Sequence, residues 1–156
     1  MAKPPRWARR FLSETDLGAI TEAIKAAESR TSAEIRVHLE RRLPRRFFGE
    51  PADALARART LFTKLGMHET VEHHGVLLYL AIDDRKLAVV GDVGIHGRVG
   101  DRHWHRVRDG MIERLRAGAP REAIIGAIEE IGRALATHYP RRPDDTNELG
   151  DEVSVS

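Results

Sequence analysis

The chain contains no cysteine. That absence excludes disulfides, cysteine-ligated zinc or iron–sulfur centres, and every cysteine-nucleophile enzyme. Serine is scarce. Ser13, Ser29, Ser32, Ser154 and Ser156 are the only five, and none stands in a G-x-S-x-G nucleophile elbow. Lysine is scarcer, with Lys3, Lys25, Lys64 and Lys86 alone. None of them completes a G-x-x-x-x-G-K-[ST] phosphate loop, so a P-loop ATPase is excluded. No apolar run approaches the 18 residues of a membrane-spanning helix. The basic start, Met1 to Arg10, has no apolar segment behind it, so no secretory signal is expected. The expected compartment is the cytoplasm.

What remains is an ordinary soluble composition. Of 156 residues, 41% are apolar and 32% charged, enough for one core without staples. Lys+Arg number 26 against 24 for Asp+Glu. Nearly all the base is arginine. A net charge of +2 gives no warrant for nucleic-acid binding. The expected organisation is a lead-in segment at 1–12, one domain at 13–139, and an extended acidic tail at 140–156.

Periodicity places the elements. Ser13 and Asp16 resemble a helix N-cap, and Leu17, Ile20, Ile24 and Ala27 follow at helical spacing. Glu34 to Glu40 alternates, with Ile35, Val37 and Leu39 on one face, as in a half-buried strand. Residues 41–50 form an arginine-rich loop whose Phe47 and Phe48 are expected to cover the sheet or the next helix. That helix carries Leu55, Ala58, Leu61, Phe62 and Leu65. Gly75 to Ile82 is a continuous apolar run, a strand covered on both faces. Asp83 to Lys86 is a tight turn into a return strand at 87–90. Residues 91–100 are read as a glycine-punctuated loop. Two helices follow, one with Trp104, Val107, Met111 and Leu115, the other with Ile124, Ile128, Ile131 and Leu135. The order α-β-α-β-β-α-α predicts a three-layer α/β/α sandwich around a small mixed sheet.

Two acidic constellations emerge. A parallel crossover brings Glu34, His74 and Asp92 to one edge of the sheet. Asp101, which opens the next helix or caps it, reaches the same edge. Asp83, Asp84 and Glu40 lie at the other edge, where adjacent aspartates also suit a turn. Converging carboxylates without cysteine favour Ca²⁺, Mg²⁺ or Mn²⁺. His68 to His73 reads H-x-x-x-E-H, one residue away from a zinc-helix spacing, and is set aside. His38 is read as a solvated residue on the polar strand face. Trp104 is read as a core anchor.

Four stretches together resemble one family. They are Arg30-Thr-Ser-Ala-Glu-Ile-Arg-Val37, His74-Gly-Val-Leu-Leu-Tyr-Leu-Ala-Ile-Asp-Asp-Arg-Lys86, Val89-Val-Gly-Asp-Val-Gly-Ile-His96 with Asp101 and Trp104, and Asp145-Thr-Asn-Glu-Leu-Gly-Asp-Glu-Val153. The chain resembles the TPM domain family, in its soluble prokaryotic stand-alone branch, from about Phe11 to Val153. Relatives include a thylakoid-lumen phosphatase-like protein, a photosystem II repair factor and a receptor modulator. The resemblance implies the same sandwich and weak binding of divalent cations, chiefly Ca²⁺, at acidic loops. The family-like positions are Glu34, Asp83, Asp84, Arg85, Gly91, Gly94 and Asp101. Where many members carry Glu, this chain has His96, and Asp92 adds a carboxylate.

The sequence therefore favours a Ca²⁺- or Mg²⁺-binding interaction module, serving protein quality control or assembly through an unidentified protein partner. Its metal ligands would be Glu34, Asp92 and Asp101, with Asp83 and Asp84 as the second candidate edge. The alternative is a weak metal-assisted phosphatase, with His96 as acid–base candidate and Arg85 as anion clamp. A dimer is compatible with either reading.

Overall fold

The computed structural model describes residues 3–69, 74–143 and 150–156. In chain order the elements are α1 (Arg6–Phe11), α2 (Glu14–Glu28), β1 (Glu34–Glu40), α3 (Ala54–Lys64), a 3-10 turn at Met67–Glu69, β2 (Gly75–Ala81), β3 (Lys86–Gly91), α4 (Val93–Val99), α5 (Asp101–Arg116), α6 (Pro120–His138) and β4 (Ser154–Val155). The sheet order is β3-β2-β1-β4. β1 runs parallel to β2 and to β4, and β2 pairs antiparallel with β3. This is the expected mixed-sheet sandwich.

The strand period of two divides the core. Ile35, Val37 and Leu39 of β1, with Val76, Leu78 and Leu80 of β2, face α2, α5 and α6 in the larger core. Leu77, Tyr79 and Ala81 face the other way, onto Ala58, Leu61 and Phe62 of α3. β2 is therefore buried along its whole length, which explains its unbroken apolar run. Caps set the helix starts. Ser13 and Asp16 form a reciprocal capping box at α2. Asp53 caps α3, its carboxylate accepting from the Ala56 N–H at 2.9 Å.

Several expectations are corrected. The glycine-punctuated stretch contains a helix, α4, instead of a loop. Ile95 is fully buried there, the Tyr139 hydroxyl donates to the Gly94 carbonyl at 3.2 Å, and Arg98 stacks over the Tyr139 ring. Tertiary contacts thus overcome the low helix propensity of glycine. The lead-in is folded in, because Ala8 and Leu12 are fully buried. Part of the tail returns as β4 along the outer edge of β1. Phe47 and Phe48 cover nothing, at 94% and 86% exposed. Trp104 is buried, as expected. The His68–His73 stretch and the tail motif at 145–153 lie partly outside the described residues.

Two glycines give a paired test of packing. A Cβ on Gly132 of α6 would stand 2.9 Å from the Ala27 Cβ of α2, whereas one on Gly110 of α5 meets nothing within 4 Å. Gly132→Val is expected to cost about 1–3 kcal/mol through overpacking, read as a lower urea midpoint. Gly110→Ala is expected to stabilise the fold by about 0.5–1 kcal/mol, read as a higher midpoint.

Candidate functional site

The C-terminal end of β1 carries a buried polar network. Glu40 is 8% exposed. Its carboxylate accepts two bonds from Arg57 of α3, at 3.0 and 2.6 Å, one from the Tyr79 hydroxyl at 2.7 Å, and one from the Ser156 hydroxyl at 3.0 Å. Burial alone would raise the Glu40 pKa. The bonds from Arg57, Tyr79 and Ser156 outweigh it and hold the carboxyl below its usual range.

His38 sits two residues earlier on the same face, 2% exposed and stacked parallel to Tyr79. The solvated reading of this histidine is therefore corrected: Tyr79 of the neighbouring strand lies against it on one side and Ser154 and Ser156 of the returning tail on the other. Its ring nitrogens meet the hydroxyls of Ser154 and Ser156, both at 2.7 Å. A carboxylate only accepts, so the Ser156 hydrogen goes to Glu40. Nε2 of His38 then donates to Ser156, and Nδ1 accepts from Ser154. The tautomer follows from this accounting.

Serine beside histidine invites a nucleophile reading, but the geometry opposes it. No carboxylate touches the imidazole in this network; Glu40 touches Ser156 instead. Burial lowers the His38 pKa to about 4, which makes it a weak base at neutral pH. The network reads as a lock that ties β4 to the sheet.

At the same end, Asp83 and Asp84 are occupied as loop staples. Asp83 pairs with Arg41 at 3.1 Å. Asp84 accepts from the Leu43 N–H at 2.7 Å and pairs with Arg45 at 2.8 Å. Those bonds lower the Asp84 pKa, the Leu43 N–H first. Arg85 fills a left-handed turn position, φ 53°. These three residues lie a strand length, about 20 Å, from the other acidic end.

That other end brings Glu34 and Asp92 into one row. Glu34 registers with Gly75 on one side, and the Asp92 N–H donates to the Gly75 carbonyl at 2.9 Å on the other. Asp101 opens α5 nearby: Trp104, one turn on, stands 3.6 Å from where a Gly91 Cβ would be. The N-cap position belongs to Gly100, at φ 92°. His96 lies in α4, and its side chain is outside the described residues. Two further carboxyls join this end. Glu28, 6% exposed, accepts from the Ile35 N–H at 2.8 Å. Burial first, then a hydrogen bond with the Asp151 carboxyl, and further the charge of Glu34, push the Glu28 pKa up to about 10. Among the described residues, no group of three His, Cys, Asp or Glu is arranged to hold a metal ion.

Sequence reasoning passed over Glu28, Asp151, Arg57 and Tyr79. Glu28 reads as one more charge at a helix end, and Tyr79 as one more residue in an apolar run. The available signal was Glu40, a carboxylate at the end of a strand that packs on a helix bearing arginine.

A family model described as the TPM domain matches residues 8–134. An NMR structure of BA42 protein from the psychrophilic bacterium Bizionia argentinensis is 35% identical. It superposes with a TM-score of 0.82, covering 94% of this chain and 96% of that one. The solution structure of an N-terminal domain from P. gingivalis, 20% identical, shares the fold with a TM-score of 0.65 over 85% of this chain and 82% of that one. No curated protein matches the sequence.

Two pH dependences follow. His38 takes a proton near pH 6.5 when unfolded and near 4 when folded. Between those values the unfolded chain binds more protons, so His38 stabilises the fold above pH 6.5 and this is lost toward pH 4. The contribution is on the order of 3 kcal/mol, and His38→Gln is expected to flatten urea midpoints over that range. Glu28 runs the other way. Its stabilising contribution is present below pH 4.5 and is lost as pH rises toward 10. Glu28→Gln reproduces the protonated acid, with an oxygen for Ile35 and an NH₂ for Asp151. It is expected to be more stable than the parent at pH 8 by at least about 1 kcal/mol. Equal stability at pH 8 would contradict the buried protonated carboxyl.

Proposed function

The chain belongs to the TPM domain family, and from that premise we propose that it is an interaction module that binds Ca²⁺ or Mg²⁺ at the Glu34–Asp92 end of the sheet and serves protein quality control or assembly. The observation that carries the reading is the crowding of carboxyls there. Glu34 and Asp92 share one row. Behind Glu34, Glu28 keeps its proton to about pH 10, through its burial, the Asp151 carboxyl and the Glu34 charge. Burial of an acid and mutual repulsion are relieved by a proton, and repulsion between carboxylates is equally relieved by a hard divalent cation. The carboxylate oxygens of Glu34 and Asp92 suit such a cation, and His74, whose ring packs on Tyr139, stands at the same end. With few protein carboxylates to hand, water and backbone carbonyls would complete the coordination. Affinity is then at the weak end of protein Ca²⁺ sites.

The alternative candidates support this choice by their occupation. Asp83 and Asp84 hold the 41–45 loop through Arg41, Arg45 and the Leu43 N–H. His38 is buried between Tyr79 and the tail serines.

The test is an amide NMR titration of metal-free protein with Ca²⁺ and then Mg²⁺, to about 10 mM, roughly ten-fold beyond weak protein Ca²⁺ sites. Saturable shifts at Glu34 and residues 91–101 are expected. Asp92→Asn should weaken the apparent affinity about ten-fold, the loss of one charged ligand. Shifts centred on Asp83 and Asp84 would overturn the location, and no saturable shift would overturn the cation. Hydrolysis of p-nitrophenyl phosphate that appears only with the bound cation would replace the interaction reading by a metal-assisted phosphatase.

A further inference from the structure

The 41–52 loop is a built structure with an unusual tip. Arg45 bridges to Pro51 across an antiparallel pair. The Arg46 N–H donates to the Glu50 carbonyl at 2.7 Å, and the Gly49 N–H returns to the Arg46 carbonyl at 2.9 Å. Gly49 stands at φ 79°, a conformation that favours glycine. This is a tight turn closed by a left-handed glycine, a common hairpin end. It places Phe47 and Phe48 at the two corners, where the backbone points both side chains away from the protein. The rings pack edge to face on each other, with centroids 5.0 Å apart, and are almost wholly exposed at 94% and 86%. The chain has four phenylalanines in all, and half of them stand in water at one turn.

We propose that this tip inserts into the interface of an anionic lipid bilayer, with the arginines around its base meeting the headgroups. Charge and size choose the occupant. Of the six arginines between residues 41 and 59, Arg57 is held by Glu40, and Arg42, Arg46 and Arg59 stand exposed on the loop and the following helix. Arg41 and Arg45 are paired with Asp83 and Asp84, which braces the loop. Arg42 and Arg46 flank the tip itself. Two phenylalanines offer on the order of 400 Å², about half of one side of a stable protein–protein interface. The remaining exposed large apolar residue among those described is Leu55, at 39%. A convex apolar wedge this small is poorly matched to a protein surface. A bilayer interface has no shape to match, and it rewards aromatic rings at headgroup depth beside basic side chains. This surface is separate from the acidic end of the sheet, so its test is independent of the cation reading.

The experiment is co-sedimentation of the full chain with large unilamellar vesicles. One set is phosphatidylcholine alone and the other carries 30% phosphatidylglycerol, both at about 50 mM salt, where the Debye length is long enough for surface charge to act. Binding to the anionic vesicles is expected, with little to the neutral ones. Phe47→Ser with Phe48→Ser should lower the partition coefficient at least ten-fold while leaving the amide spectrum of the core unchanged. Arg42→Gln and Arg46→Gln should each lower it roughly five-fold. Equal binding to both vesicles would overturn the role of the arginines. Binding that survives the double serine change would overturn the wedge. No binding to either vesicle overturns the proposal. So does a concentration-dependent dimer that the serine changes abolish, which would make a second copy the occupant. Competition by inorganic phosphate at the millimolar level would overturn it in favour of a soluble anion.

Discussion

The carboxylate of Glu40 is the anchor on which the sheet depends. It collects Arg57 from the crossover helix, Tyr79 from the neighbouring strand and Ser156 from the returning tail. Three segments distant in sequence thus meet at one buried charge. Such a charge is tolerable only when each of its oxygens is satisfied. Here Oε1 accepts from Arg57 Nε and Tyr79, and Oε2 from Arg57 Nη2 and Ser156. Removing any one donor leaves a buried anion short of a partner, which is why the network specifies an arrangement rather than merely adding to stability. His38 extends the specification, since its neutral ring fits only between two hydroxyls at the right spacing.

The two ends of the sheet solve opposite problems. At the C-terminal end acids are matched by arginines: Glu40 by Arg57, Asp83 by Arg41, Asp84 by Arg45. At the N-terminal end Glu28 is buried beside the Asp151 carboxyl and the Glu34 charge, and it holds its proton. The Glu28 carboxyl also covers the Ile35 N–H on the side of β1 where β4 does not reach. It therefore protects an open strand edge that would otherwise present an unpaired donor.

Much of the fold was legible because single periods carry it. Ile35, Val37 and Leu39 announced a strand, the run from Gly75 announced its buried neighbour, and the helical stripes of α5 and α6 were plain. The resemblance to the TPM domain rested on residues 30–37, on the run from His74 through the Asp83-Asp84-Arg85 turn, on residues 89–96 with Asp101 and Trp104, and on the tail motif at 145–153. α4 was not legible, because four glycines in ten residues hide a helix that Tyr139 and the core impose on it from outside. The tail strand was hidden for a related reason. Two residues have no period, and Ser154 pairs with His38 only because the tertiary fold brings them together. Of the candidate site, the grouping of Glu34 with Asp92 was visible from the crossover rule. Glu28 and Asp151 were not, since their meeting depends on where a helix end and a tail converge.

The short strand β4 has a consequence for how the molecule is assembled in time. His38 and Ser154 are 116 residues apart in the chain, while β1 and β2 pair across the shorter α3 crossover and β2–β3 is a hairpin. Closing so long a loop carries the largest entropic penalty in the sheet and returns only a two-residue ladder. That contact is therefore made after the central strands and helices are in place. Its ladder is only two residues long, the condition under which a segment opens locally. Parting that one seam would wet the buried histidine while the rest of the core stayed closed.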